Sequence, residues 1–422
     1  MKSRLLLLIA LTVSLTAAVS AQNDRVKLKT LYEDKHYFEL RDRIASVKDN
    51  SAPEALFYKG AVYSKFNKPD SSAAALQEFI SRADTNTALL KEAYILLADN
   101  YIKLYRYRDA AEKYEHVLAN YPALLDSEET ADLKNSARLF RFYANTPAQE
   151  IVKTADTKIK TFKDIAGLNN LYISTGKDSI NFIFDTGANI TTLAFSTAKQ
   201  LGVEIVGDSI MVTSITGAKV PARLGVLPEL HFGNITARHV LCLIFEDKEL
   251  SFPQANYFIH GILGFPAIEA LGEIEMTKDG MLIVPAVTPE RKLRNMGLDE
   301  LTPIILGRYE GRDLAFTFDT GAKTSMLNYC FYKEYESQVK QNAKQDSVQF
   351  GGAGGMTVVP AFVQHVFTID IAGHTVQIPD MEIIAVETTD DSKHFYGNLG
   401  QDLIKQFDKM IINFRSMSII FQ

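Results

Sequence analysis

The spacing of apolar residues along the chain changes near residue 147. Between about residues 25 and 146, apolar and small residues recur every three or four positions, and this spacing predicts amphipathic helices. After residue 147 the chain is rich in Val, Ile, Phe and Thr, with alternating stretches and Gly-containing turns, which is typical of strands. We therefore predict a multi-domain protein: a helical region over residues 22–146, followed by a mostly-β region.

One pattern of small and aromatic residues occurs twice in the helical region. The clearer copy lies in AYILLADNYIKLYRYRDAAEKYEHVLANYP (93–122), where Ala98 and Tyr101 take the places that Gly60 and Tyr63 take in the fainter copy upstream. This pattern resembles the tetratricopeptide repeat, which implies stacked helix pairs. Two roles stay open for these repeats: a concave surface that binds a protein partner, or a structural spacer.

The mostly-β region contains nearly the same seven-residue phrase twice, FIFDTGA (182–188) and FTFDTGA (316–322), with one difference at the second position. Two more features follow each copy in the same order. The first is a Gly-bearing turn, SITGAK (214–219) and then FGGAGG (350–355); the second is GILG (261–264) and then GNLG (397–400). We therefore predict an internal duplication with one unit over 148–287, a linker over 288–300, and a second unit over 301–422.

The repeated phrase places a carboxyl at the end of an apolar strand. A buried acid is costly unless it is hydrogen-bonded or used in chemistry. Two duplicated units related by an approximate two-fold axis would bring the two acids together at that axis. Because two adjacent carboxylates do not both ionise readily, the pair keeps one proton, and it can then activate a water and donate to a carbonyl oxygen.

These loops resemble those of aspartic proteases of the retropepsin and pepsin superfamily, in a covalent two-lobed arrangement. The resemblance implies that Asp185 and Asp319 are the catalytic pair. It also implies supporting roles for the rest of the two DTGA loops, Thr186, Gly187, Ala188, Thr320, Gly321 and Ala322. It assigns the flap tips that close over substrate to Ser214, Ile215, Thr216, Gly217, Gly351, Gly352, Ala353 and Gly354. Asn398 departs from the family pattern, which has an aliphatic residue there, and this puts the packing of the second lobe in question.

Two functions are compatible with these features. The first is an exported endopeptidase whose substrate is a peptide or protein, with the helical repeats recruiting or gating that substrate. The second is an inactive protease fold that serves with the repeats as a protein-binding module. Both DTGA loops are intact, which favours the enzyme because a decayed enzyme would commonly lose one of the acids.

Composition narrows the partners further. The formal net charge is −6 and there is no run of Lys or Arg, so we expect no nucleic-acid partner. The eight His residues show no metal-ligand spacing, so we expect no metal and no cofactor. We also expect a monomer. Cys242 and Cys330 are expected to be small buried apolar residues, with a disulfide between the lobes left open.

The first 21 residues have the features of a secretory signal peptide. Lys2 and Arg4 precede the apolar run LLLLIALTVSL (5–15), and small residues then lead to Ala21. We expect cleavage after Ala21 and export to the periplasm or the medium; an uncleaved N-terminal anchor is the alternative. No later stretch reaches 18 apolar residues, so no membrane span is expected after the signal is removed.

Overall fold

The computed structural model describes residues 26–46, 53–83, 87–176, 179–214, 218–352 and 354–422. The segment 1–21, assigned above to a signal peptide, lies outside the described residues. Four of the expected flap residues also lie outside them: Ile215, Thr216, Gly217 and Ala353.

Helices occupy the first third of the chain. They are α1 (26–33), α2 (Tyr37–Ser46), α3 (Pro53–Lys65), α4 (Pro69–Arg82), α5 (Thr87–Lys103), α6 (Tyr107–Asn120) and α7 (Ser127–Phe142), with short 3₁₀ turns at Pro122–Leu124 and Tyr143–Asn145. Asp126 caps α7 by accepting from the backbone NH groups of Glu128 and Glu129, which satisfies donors that would otherwise lack a partner.

Small residues allow these helices to approach closely. A Cβ atom at Gly60 of α3 would lie 2.8 Å from the side chain of Leu76 in α4, so Gly permits this contact. A polar chain crosses the same interface: Ser72 donates to the carbonyl of Gly60 (2.7 Å), and Asn100 of α5 donates to the hydroxyl of Ser72 (2.9 Å). Apolar packing and these two hydrogen bonds together hold α3, α4 and α5 in register.

From residue 150 onward the chain is mostly strand. The strands are β1 (Glu150–Lys153), β2 (Thr157–Lys160), β3 (Phe162–Lys163), β4 (Asn169–Ser174), β5 (Ser179–Phe184), β6 (Thr191–Ala194), β7 (Glu204–Thr213), β8 (Lys219–Phe232), β9 (Ile235–Phe245), β10 (Ser251–Phe252), β11 (Tyr257–Phe258), β12 (Gly261–Leu263), β13 (Glu273–Thr277), β14 (Met281–Val284), β15 (Met296–Asp299), β16 (Thr302–Tyr309), β17 (Arg312–Phe318), β18 (Met326–Leu327), β19 (Lys344–Gly352), β20 (Gly355–Ile371), β21 (His374–Ile384), β22 (Gly397–Leu399), β23 (Lys409–Asn413) and β24 (Ser418–Phe421). The short helices among them are α8 (Phe195–Gln200), α9 (Phe265–Glu269), α10 (Tyr329–Glu334), α11 (Glu336–Asn342) and α12 (Gln401–Ile404).

Two large sheets define two lobes. Lobe one has the strand order β1-β9-β6-β12-β5-β4-β8-β7, with β3 beside β4, and β8 also pairs with β9. Lobe two has the order β15-β16-β17-β22-β18-β21-β20-β19, and β16 also pairs with β20. A third sheet, β2-β14-β13-β23-β24, joins strands from both lobes, because β13 pairs antiparallel with β23. The predicted fold class, a helical region followed by a mostly-β region, is confirmed.

The segment 288–300, assigned above to a linker, ends in regular structure. Residues 296–299 form β15, which pairs antiparallel with β16 at the edge of lobe two. The last residues of the segment therefore belong to the sheet of lobe two.

The helical region and the lobes share a buried apolar core. Phe57 and Leu97 of the helices belong to the same cluster as Leu224 of lobe one and Ile304 of lobe two. A fragment that lacks residues 22–146 would expose part of this shared core.

A buried ionic cluster joins the helices to lobe two. We call it the Asp299 network; it consists of Asp299, Lys35, Lys65 and Tyr37. The ammonium of Lys65 lies 2.5 Å from Oδ1 of Asp299, that of Lys35 lies 2.8 Å from Oδ2, and the hydroxyl of Tyr37 donates to Oδ1 (2.9 Å). Burial alone would raise the pKa of Asp299, but the two lysines outweigh it and hold that pKa well below its usual range.

The two cysteines are free thiols: Cys242 in β9 is buried, as expected, whereas Cys330 in α10 is only half-buried. Burial raises the pKa of each thiol to about 12. Among the described residues, no helix combines the length and the apolar character that crossing a membrane requires.

Candidate active site

In lobe one, two strands position the first DTGA loop. The loop follows β5, which runs parallel to β12, with Phe184 beside Leu263. The backbone NH of Asp185 donates to the carbonyl of Leu263 (3.2 Å), which fixes the point where the acid leaves the strand. The chain then returns along the other side of β12 as β6, so the loop is held between two strands.

Lobe two repeats this arrangement. The second DTGA loop follows β17, which runs parallel to β22, and β18 returns antiparallel on the other side of β22. The backbone NH of Asp319 donates to the carbonyl of Leu399 (3.0 Å). The two acids therefore leave equivalent strands in equivalent ways.

Four hydrogen bonds across the lobes join the two loops through their threonines. The backbone NH of Thr186 donates to Oγ1 of Thr320 (3.0 Å), and the NH of Thr320 donates to Oγ1 of Thr186 (3.1 Å). Each hydroxyl then donates to a carbonyl in the opposite lobe, that of Phe318 (3.3 Å) or Phe184 (3.0 Å). Both threonines are fully buried, so these bonds are shielded from competing water.

The glycines of the loops bring each backbone against the opposite carboxyl. A Cβ atom at Gly187 would lie 2.5 Å from Cγ of Asp319, and one at Gly321 would collide with Cγ of Asp185. Each glycine NH also donates to Oδ1 of the Asp in its own loop, at 2.7 Å in both lobes. The structure therefore brings Asp185 and Asp319 together, and any side chain at either glycine would displace a carboxyl.

The environment of the pair shifts its protonation. Burial, followed by the charge of Asp319 and a hydrogen bond to it, raises the pKa of Asp185 well above the usual range of a carboxyl. The NH groups of Gly187 and Ala188 oppose this shift without overcoming it. Both acids are still partly exposed to solvent, so a water or a substrate can reach them.

Ala188 and Ala322 anchor the ends of the loops. The carbonyl of Ala188 accepts from the NH of Phe265 (2.7 Å), and the carbonyl of Ala322 accepts from the NH of Gln401 (2.9 Å). The glycines that precede Phe265 and Gln401 are also required, because a Cβ atom at Gly264 or Gly400 would lie within 3 Å of the backbone of the DTGA loop or of the residues just after it.

Sequence reasoning missed two hydroxyl residues that support the loops. Oγ1 of Thr191 accepts from the NH of Gly264 (3.2 Å), and Oγ of Ser325 accepts from the NH of Gly400 (2.9 Å). Thr191 and Ser325 are 134 residues apart (325 − 191), the same separation as the two acids (319 − 185). A comparison of the two copies at that offset would have found them.

The lobes differ around the residue that follows each of these glycines. In lobe one, Phe265 packs in the buried apolar core. In lobe two, Gln401 instead donates to the carbonyl of Thr320 (2.6 Å) and accepts from Lys163. The carboxamide of Asn398 accepts from the hydroxyl of Thr317 (2.8 Å), so this departure from the family pattern has a hydrogen-bond partner.

The four expected flap residues that the structure describes, Ser214, Gly351, Gly352 and Gly354, lie on two hairpins. In lobe one, the NH of Ser214 donates to the carbonyl of Ala218 (2.9 Å) at the end of the β7–β8 hairpin. In lobe two, Gly351 and Gly352 pair with the start of β20, and Gly354 turns with φ +85°.

The two hairpins meet. The NH of Gly354 donates to the carbonyl of Glu249 in lobe one (3.3 Å), and a Cβ at Gly354 would lie 2.6 Å from the side chain of Val220 on β8. The lobe-two hairpin therefore rests on lobe one next to the lobe-one hairpin.

The arrangement is suited to acid–base chemistry carried out by the two carboxyls. Within the described ranges, no group of three or more His, Cys, Asp or Glu side chains could hold a metal ion. Two adjacent carboxyls with one proton between them can activate a water and protonate a carbonyl oxygen. This is the chemistry that hydrolysis of a carbonyl compound by acid–base catalysis requires.

The comparison with known families agrees with this chemistry. Residues 170–267 match a family model described as aspartyl protease, which spans the first DTGA loop and most of lobe one and suggests peptidase activity. No curated protein matches the chain.

Proposed function

We propose that the protein is an exported aspartic endopeptidase of the retropepsin and pepsin type, with Asp185 and Asp319 as its catalytic pair. The observation that carries this proposal is the packing of Gly187 and Gly321 against the opposite carboxyls. That contact holds the two acids at one point on the lobe interface, where they share a proton.

In the proposed reaction the ionised carboxyl takes a proton from a water as the water oxygen attacks the peptide carbonyl carbon. The protonated carboxyl gives its proton to the carbonyl oxygen, and a tetrahedral diol forms. The C–N bond then breaks as the carboxyl that took the water proton passes it to the amide nitrogen, while the other carboxyl takes a proton from the diol, which restores the pair with one proton. The NH groups of Gly187 and Gly321 keep both carboxyls oriented throughout.

The two hairpins are proposed to close over a bound peptide. Their contact through Gly354 and Val220 supports this role, because substrate entry would require the contact to open. The helical region resembles tetratricopeptide repeats and is proposed to recruit or gate a protein substrate. Its shared core with both lobes supports a coupling to the site.

Export is the remaining part of the proposal. Residues 1–21 would be removed as a signal peptide, leaving a mature monomer that begins at Gln22 and acts in the periplasm or the medium. N-terminal sequencing of native material tests this point, and an intact Met1 would contradict it.

A peptide-library assay tests the function. The purified mature chain should cleave internal peptide bonds between acidic and neutral pH, chelators should have no effect, and Asp319→Asn should not cleave. If wild type and Asp319→Asn leave the same library intact while both are folded, the protein is a binding module that keeps the protease fold.

A further inference from the structure

A cavity of about 380 Å³ lies where the helical region meets both lobes. Its walls come from α5, α6 and α7, from residues 189–191 after the first DTGA loop, and from Glu300 and Leu301 at the start of lobe two. The volume is typical of sites that bind small molecules, about 300 to 1,000 Å³. The proposed peptidase mechanism makes no use of this cavity.

Aromatic and aliphatic side chains form most of the cavity wall. The rings of Tyr107 and Phe140 lie nearly parallel, with centroids 6.1 Å apart, and Ile102 and Ile190 approach from the helices and from lobe one. An apolar body can therefore be accommodated, and flat aromatic faces can also contact a cation.

The charged lining is mainly acidic. Among the described residues that line the cavity, four are acids, Asp99, Asp132, Glu269 and Glu300, and the one basic residue is Lys103. Lys103 donates to the carbonyl of Ser64 (3.2 Å), and burial followed by the charge of Lys65 lowers its pKa to about 8. Lys65 itself is engaged by Asp299.

Two of these acids accept hydrogen bonds from neutral donors, which do not neutralise a negative charge. Asp99 accepts from the hydroxyl of Tyr114 (2.7 Å), and Glu269 accepts from the amide of Asn67 (2.8 Å). For Glu300, burial and then the charges of Asp99 and Asp299 raise the pKa to about 7. The cavity therefore has more acidic than basic side chains, and a cationic ligand would offset the cost of burying their negative charge.

The acids do not form a metal site. In the part of the chain that the structure describes, no three His, Cys, Asp or Glu side chains lie close enough together to hold a metal ion, so these acids do not converge on one ion. The occupant must combine a positive group with a body that reaches the apolar wall.

We propose that this cavity binds a small organic cation: one ammonium or guanidinium group on an apolar body, held by Glu300 and Asp99 and packed against Tyr107 and Phe140. Such a group occurs in free amines and in the side chains of peptides. The proposal concerns binding alone, so it holds whether or not the protein is a peptidase.

Isothermal titration calorimetry on the full mature chain tests the proposal. At about pH 8, where Glu300 is mostly ionised, 2-phenylethylamine should bind. Both 2-phenylethanol, which lacks the charge, and methylamine, which lacks the apolar body, should bind at least about ten-fold more weakly, or about 1.4 kcal/mol. Acetylarginine amide is the peptide-like arm; tighter binding of that probe than of 2-phenylethylamine would identify a peptide side chain as the source.

Two variants locate the site. Glu300→Gln should weaken 2-phenylethylamine about ten-fold, and Ser136→Phe, which adds a ring to the α7 wall, should abolish binding. Glu112→Gln removes an exposed acid of α6 and should change nothing. The proposal is overturned if 2-phenylethylamine does not bind, if 2-phenylethanol binds equally well, or if a folded Ser136→Phe variant keeps full affinity. The ligand series on the unmodified protein decides the matter even where a variant fails to fold.

Discussion

Two aspartates that lie at interfaces inside this protein have opposite surroundings. Asp185 meets a second carboxyl across the lobe interface, and the donors that reach it are backbone NH groups. Asp299 meets two ammonium groups and a phenol at the junction between helices and lobe two. Burial disfavours charge at both sites, but the neighbouring carboxyl of Asp319 adds to that effect at Asp185, whereas the two lysines reverse it at Asp299.

The two environments suit different roles: that of Asp185 suits catalysis, and that of Asp299 suits attachment of the helical region to lobe two. A raised pKa lets Asp185 keep a proton at a pH where an ordinary carboxyl has lost it, and the proposed hydrolysis requires that proton. A lowered pKa keeps Asp299 ionised, so it holds Lys35 and Lys65 of the helical region against β15 of lobe two. The same residue type is therefore used once to retain a proton and once to lose it.

The largest expected effect is on activity. Asp185→Asn and Asp319→Asn should each lower kcat by about 10³-fold or more, because either change removes the shared-proton pair. The double variant should be scarcely worse than either single one, since the two groups act as a unit. Steady-state kinetics on one library-selected peptide measures this, with circular dichroism to show that the fold is kept. Full activity in a folded single variant would show that the substituted acid is not catalytic.

The next effect is on stability, at the other aspartate. Asp299→Asn should lower the free energy of unfolding by about 3 to 5 kcal/mol, because it leaves the buried ammonium of Lys65 without its counter-charge and removes one of the carboxylates that pair with Lys35. Asp391→Asn is the matched control: Asp391 also pairs with Lys35 (2.7 Å), but its side chain is half exposed. That control should cost less than about 1 kcal/mol. Urea unfolding measures both, and equal losses would show that burial of the Asp299 network does not matter.

A smaller loss is expected where the two catalytic loops are joined. Thr186→Val keeps the shape of the side chain but removes the hydroxyl that bonds to Thr320 and Phe318. The buried NH of Thr320 would lose its partner, at a cost of about 1 to 3 kcal/mol. Thr186→Ser keeps the hydroxyl and should restore most of that stability and the activity. A Val variant as stable as wild type would show that these bonds do not hold the lobes together.

The smallest effect is the pH dependence of stability, and its sign should differ between the two aspartates. The folded pKa of Asp185 is raised, so stability should fall as pH rises from about 4 towards that pKa, by about 1.4 kcal/mol for each pH unit between the unfolded and the folded pKa. The folded pKa of Asp299 is lowered, so its contribution is complete above about pH 4 and is lost as pH falls below that. Urea unfolding of wild type, Asp185→Asn and Asp299→Asn across pH separates the two. The same slope in both variants would contradict the assignment.

The duplicated pattern made the centre of the site predictable. The two FxFDTGA phrases placed Asp185 and Asp319 at the ends of buried strands, and the structure brings the two carboxyls together. Thr191 and Ser325 were within reach of the same comparison, because they repeat at the same offset. The change in hydrophobic period likewise located the boundary between helices and strands.

Residues without a repeated partner were not predictable. Lys35, Lys65 and Asp299 are far apart in sequence and belong to no motif, so their convergence depends on how the helices dock. Gln401 stands where lobe one has Phe265, and its bond to Thr320 breaks the symmetry on which the sequence argument relied. Periodicity and duplication carry no information about long-range docking or local asymmetry.

The pH profile of kcat/KM for the unmodified protein tests the shared proton most directly. A pair with one proton should give a bell-shaped profile with two macroscopic pKa values, falling when both carboxyls are protonated and again when both are ionised. The apparent pKa of the alkaline limb should lie above the usual range for a carboxyl, because the pKa of Asp185 is raised. A rate that stays flat or keeps rising through neutral and alkaline pH would contradict the account.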